Sequence, residues 1–202
     1  MMRTLKILLF LFISCLCFGC QSSLRRESRI EKQDDVYVLS FANLSFSVSA
    51  GKGGRIVSFK CEDRELLTSD SVHSKYYGAT FWLSPQSEYW PQYQCVDELP
   101  YQAEIDKQIL RLVSPPDSIS GVSVTKEFSI SERDSSILIH YSVRNVSRQL
   151  KRLAPWDVTR VYGGLSFFPV GETDQMNKSD VSGGYEDKGM VWVPCPDGHI
   201  ER

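Results

Sequence analysis

"GVSVTKEFSIS", residues 121–131, decides the fold class. On an extended chain Val122, Val124, Phe128 and Ile130 fall on one side, and Ser123, Thr125, Glu127 and Ser129 on the other. A two-residue period of this kind predicts a half-buried antiparallel strand. "SILIHYSVRN" (136–145) repeats it, setting Ile137, Ile139, Tyr141 and Val143 against Leu138, His140, Ser142 and Arg144. "NLSFSVSAG" (43–51) does so again, with Leu44, Phe46 and Val48 opposite Ser45, Ser47 and Ser49. Turn signals separate these runs: Gly51-Lys52-Gly53-Gly54, Glu62-Asp63-Arg64, Pro115-Pro116-Asp117, Ser131 to Ser135, and Gly163-Gly164. No segment after residue 36 sustains a 3.6-residue apolar period over three turns. The expectation is an all-β domain, an antiparallel sandwich of two sheets.

The totals agree with one globular domain: 202 residues, 24% charged and 42% hydrophobic. A net charge of −2, with no Lys/Arg stripe beyond Arg25, Arg26 and Arg29, argues against nucleic acid as a partner. The N-terminus, "MMRTLKILLFLFISCLCFGC", joins a basic start (Arg3, Lys6) to an apolar run from Ile7 to Phe18, then Gly19 and Cys20. This reads as an export signal over residues 1–19, its apolar run too short to span a bilayer. The ending resembles a bacterial lipobox, although Cys17 and Phe18 depart from the usual small residues. Cys20 would then be acylated and anchor the protein to the cell envelope, at the outer membrane by expectation; ordinary secretion is the alternative. Cys15 and Cys17 would leave with the signal, so Cys61, Cys95 and Cys195 remain, and three thiols cannot all pair. Residues 20–35 read as a polar tether and 36–202 as the domain. From Gly171 the chain turns polar and Gly-rich, with one further strand expected at Met190–Val193, which suggests a truncated sequence or a short member of its family.

Few residues offer chemistry. Of the three histidines, His140 lies on the polar face of an expected strand, His73 follows a loop and His199 is near the end. Cys195 and His199 have zinc-like spacing but no second ligand pair. Nucleophile-elbow, dinucleotide, P-loop and HExxH motifs are missing, so neither a metal nor a cofactor is expected. Two aromatic stretches remain. "GATFWLSPQSEYWPQ" (78–92) places Phe81 and Trp82 on opposite strand faces and carries Gln86 and Trp90 on a loop between Pro85 and Pro91. "RLAPWDVTRVYGGLSFFPVG" (152–171) puts Trp156, Val158 and Arg160 on one face and Asp157, Thr159 and Val161 on the other. An arginine beside a tryptophan suits hydroxyl or carboxylate groups. The plainer alternative pairs Arg160 with Asp157 or Asp174 at a sheet edge and leaves Trp156 to fill the core.

The succession "GGRIVSF", "GATFWLSPQSEYWPQ", "GVSVTKEFSI", "IHYSVRNVS", "APWDVTRVYGGLSFFPVG" resembles a family of Bacteroides-type lipoproteins whose domain is similar to the galactose mutarotase or aldose 1-epimerase fold. The resemblance covers residues 36–171. It implies a supersandwich with a carbohydrate-binding concave face. It also implies that the strand bearing the mutarotase acid histidine corresponds to "LAPWDVTR", where Trp156 or Asp157 stands instead, so binding is favoured over catalysis. Trp82, Trp90 and Trp156 would stack on sugar rings, with Gln86, Asp157 and Arg160 bonding hydroxyls. The alternatives are an epimerase or mutarotase using His140 or Asp157, and a structural envelope lipoprotein whose aromatics are all core or interface. Burial of all three tryptophans away from any concavity would sink the binding reading.

Overall fold

The computed structural model describes residues 27–91, 94–170 and 183–195, and the expected signal with Cys20, as well as Asp174 and His199, lies outside them. The strands in chain order begin with β1 (Arg29–Gln33), β2 (Val36–Phe41), β3 (Leu44–Ser49), β4 (Arg55–Cys61), β5 (Arg64–Glu65) and β6 (Ala79–Ser84). After two one-turn helices, Gln86–Tyr89 and Gln94–Asp97, come β7 (Gln102–Asp106), β8 (Ile109–Val113), β9 (Val122–Ser131) and β10 (Ser136–Asn145). The last are β11 (Ala154–Thr159), β12 (Gly164–Pro169), β13 (Tyr185–Asp187) and β14 (Met190–Cys195).

All pairings are antiparallel. One sheet has the order β1-β2-β3-β4-β6-β11 with β5 beside β4, the second runs β10-β9-β8-β7, and a small third runs β12-β14-β13. The alternating runs explain why the first two sheets pack together, since each presents one apolar side. Leu39, Phe46, Val48, Phe81 and Leu83 from the larger sheet share one buried cluster with Leu110, Leu112, Val122, Val124 and Phe128 from the smaller. Phe46 and Phe128 meet across the gap with ring centroids 5.9 Å apart. The domain is thus all-β and sandwich-like, as the two-residue period requires.

Three expectations need amendment. Residues 29–33, assigned to the tether, form β1 in register from Arg29↔Ser40 to Gln33↔Val36. An edge strand can be polar because water reaches its outer side, and Ile30 alone packs against the core. Ile139, assigned to the inward side of its strand, stays exposed on β10, which is the edge of its sheet. The loop expected between Pro85 and Pro91 contains a helical turn whose last carbonyl contact, Gln86 O accepting from Trp90 N–H at 3.0 Å, holds Trp90 in place. The turn at Gly51–Gly54 falls where expected, whereas those at Asp34–Asp35, Ala42–Asn43 and Lys107–Gln108 contain neither glycine nor proline. Cys61 and Cys95 are free thiols.

The turn before β4 is pinned from two directions. Gly53 has φ +63°, its N–H donates to Leu99 O at 3.1 Å, and a Cβ there would collide with the Asp97 backbone carbonyl. From the opposite sheet Lys126, 1% exposed, donates through Nζ to Gly53 O at 2.7 Å and to Gly54 O at 3.4 Å. Its ammonium also lies over the Tyr101 and Phe81 rings, 5.2 and 5.6 Å from their centroids. Burial pulls its pKa down to about 8, against the attraction of Asp97 and Asp157.

Candidate functional site

Strand β6 divides its residues by parity. Ala79, Phe81 and Leu83 enter the core cluster, while Thr80 and Trp82 face the outside of the larger sheet. Phe81 is inward, as expected. Trp82 points the other way but is covered: it is 5% exposed, with Trp90, Trp156 and Tyr76 set edge-on to its ring at centroid distances of 5.2, 5.4 and 6.1 Å. Trp156 reaches it because β11 pairs with β6 in the register Trp156↔Trp82. Trp90 is 42% exposed and Trp156 half-buried, so these two indoles meet solvent while Trp82 supports them from beneath.

Arg160 follows β11 on the same face. Its guanidinium lies 5.2 Å from the Trp82 ring centroid and 5.6 Å from that of Tyr76, and Nη1 donates to Thr80 Oγ1 at 3.2 Å. Half-burial lowers its pKa, with Asp97 opposing that and Arg55 reinforcing it. Asp157 stands on the other face, accepting from Tyr141 Oη at 2.9 Å and from Thr159 Oγ1 at 3.1 Å. Burial, and then the Asp157 charge, push the Tyr141 phenol above its usual range. The alternation therefore separates Asp157 from the tryptophans that the family resemblance grouped it with. Gln86 is exposed beside Trp90. His140 is exposed on β10, in the opposite sheet, and His73 Nδ1 accepts the backbone N–H groups of Lys75 and Tyr76, shaping the loop that carries them.

Next to the indoles sits a buried ion pair that sequence reasoning did not find. Arg55 Nη2 lies 3.0 Å from Asp97 Oδ2, with side chains only 5% and 6% exposed. The same carboxylate oxygen accepts Trp82 Nε1–H at 3.1 Å. Arg55 also donates through Nη1 to Lys75 O at 2.7 Å and stacks on Tyr77, whose hydroxyl accepts from Lys52 Nζ at 2.9 Å. Arg55 Nε and Asp97 Oδ1 have no protein partner. Buried side-chain atoms without a protein partner are uncommon.

Those residues line an open cavity of about 210 Å³ together with Lys52, Ser74, Lys75, Tyr77 and Glu98. A second recess of about 20 Å³ runs under Tyr76, Trp82, Trp90 and Pro91, and the two share Lys75, Asp97 and Glu98 as a common wall. An indole-lined recess thus adjoins a polar, charged cavity. Among the described residues no group of three His, Cys, Asp or Glu side chains gathers as a metal site. No protein-family model matches this chain, and a search of curated proteins finds no significant relative.

Proposed function

We propose that the protein binds carbohydrate on the outer face of β6 and β11, as an exported, lipid-anchored envelope protein with a galactose mutarotase-like domain, holding the sugar rather than transforming it. The observation that carries this reading is the tryptophan triad. Trp82 is clamped by a hydrogen bond and three ring contacts, and it fixes Trp90 and Trp156 in position at the surface. Rigid, part-exposed indoles beside a few fixed polar groups are what saccharide rings require, since each ring offers an apolar face and a belt of hydroxyls. The neighbouring cavity supplies donors and acceptors from Lys52, Arg55 and Asp97.

The binding reading is favoured over an epimerase because the candidate acid–base groups are dispersed. Asp157 is engaged by Tyr141 and Thr159 on the far face, and His140 belongs to the other sheet. Proton transfer needs both groups within hydrogen-bond reach of one ring. It is favoured over a purely structural role because Trp90 and Trp156 retain solvent contact beside a cavity.

A glycan array probed with the purified protein tests this. Retention on a defined set of glycans is expected, with Trp90→Ala and Trp156→Ala each weakening it by about tenfold or more, the scale of one lost stacking residue. Silence of the wild-type protein across the array would overturn the proposal.

A further inference from the structure

We infer that the saccharide is an acidic one, its ring on the Trp90 and Trp156 edge and its anionic group in the adjoining cavity beside Lys52. This rests on the carbohydrate reading and narrows it to a substrate class.

Charge around the site is the first argument. Lys52, Arg55, Lys75 and, beside the indoles, Arg160 bring four cations, whereas the shared wall brings the carboxylates Asp97 and Glu98 and Asp70 adds a third near Lys52. Both wall carboxylates are engaged: Asp97 with Arg55 at 3.0 Å and Glu98 with Lys75 at 3.5 Å. Lys52 instead donates to a neutral phenol, Tyr77, and Arg160 to a neutral hydroxyl, Thr80. The chain as a whole carries −2, so a local excess of positive charge runs against its average. Two cations whose hydrogen bonds go to neutral groups, on either side of the indoles, form a field that favours an anion.

Geometry is the second. Arg55 is held by Asp97, by Lys75 O and by the Tyr77 ring, so its positive charge is fixed in place before any ligand arrives. Preorganised charge costs little further ordering on binding. The cavity and the indole recess share Lys75, Asp97 and Glu98, so one ligand reaches both. A neutral sugar would use the platform and leave the hydrogen bonds of Lys52 and Arg160 on neutral groups. A uronic acid carboxylate or a sulfate ester on the ring would use both platform and cations, and the shared chemistry is a ring-borne anion.

An array of matched glycans decides the matter, each neutral chain printed beside its uronic acid form and its sulfate ester. The acidic members should be bound at least about tenfold more tightly than their neutral partner, the gain of one charge-assisted hydrogen bond. Preference for carboxylate, for sulfate or for both supports the inference and names the source of the charge. Lys52→Glu, at an exposed position that leaves the core untouched, should shrink the acidic-to-neutral ratio, whereas Trp90→Ala should weaken both classes alike. Equal binding of neutral and acidic partners overturns this inference while leaving carbohydrate binding intact. Absence of binding to every glycan overturns both.

Discussion

Phe81 and Trp82 are consecutive on β6 and equally shut off from water, but by opposite kinds of neighbour. Phe81 lies among aliphatic and aromatic side chains of two sheets, its ring 4.6 Å from that of Tyr141. Trp82 is enclosed by three ring edges, a guanidinium and a carboxylate. The first enclosure is held by removal of apolar area from water, and its worth is stability. The second buries two charges, whose desolvation offsets much of their attraction, so it is a weak source of stability and a strong source of fixed orientation. One strand therefore supports a core on one side and a cluster of indoles beside a charged cavity on the other.

Substitution should separate the two faces. Phe81→Ala should have the largest effect, lowering stability by about 4 kcal/mol because the transfer and cavity terms add. Chemical denaturation would measure this, and a loss below about 1 kcal/mol would mean that the Phe81 face is not the core. Asp97→Asn comes next. It leaves Arg55 buried without a counter-charge, which should cost about 3 kcal/mol. It should also shift the fluorescence of the tryptophans, a signature that the Phe81 substitution lacks a direct reason to produce. An unchanged melting curve for Asp97→Asn would show that the pair is solvated.

The smallest effect probes the charge between the sheets. Lys126 has a folded pKa of about 8 against an ordinary 10.5, so between those values the unfolded chain binds more protons than the folded one. Stability from this group therefore rises as pH climbs from about 8 toward 10.5, with a slope on the order of 1 kcal/mol per pH unit. Cys95 opposes it above pH 9, since burial pushes that thiol from 9.0 to about 11 and only the unfolded thiol ionises there. Lys126→Met removes the first contribution and leaves the second. The difference between wild-type and Lys126→Met stabilities should thus depend on pH, and parallel curves from pH 8 to 9 would place the Lys126 ammonium in water.

Much of the fold was legible because alternation is a local signal. β3, β9 and β10 follow from single runs of residues, and Gly51–Gly54 and Gly163–Gly164 mark the turns that lead into β4 and β12 without reference to anything distant. The parity of Phe81 and Trp82 was legible for the same reason. The ion pair was not, since Arg55 and Asp97 are 42 positions apart and each sits in a stretch with its own bland reading, "GGRI" and "CVDE". Lys126 carried a signal that could have been used: it occupies an inward position in "GVSVTKEFSIS", between Val124 and Phe128, where a charge demands an acceptor. The strand β1 was hidden by its polarity, because an edge strand needs little apolar surface. The opposite faces of Trp156 and Asp157 were legible in the alternation, and only the family resemblance had joined Asp157 to the tryptophans.

Gly53 has a consequence for what the cavity can accept. Its carbonyl is held by a lysine from the far sheet, its N–H by Leu99, and its missing side chain lets the Asp97 backbone come close. The Asp97 side of the cavity is thereby keyed to the spacing between the two sheets. Lys52, Lys75 and Glu98 stand exposed on the other side, whereas the Asp97 side yields only if a whole layer moves. The cavity thus has one side set by the packing of the sheets and one side set by exposed side chains.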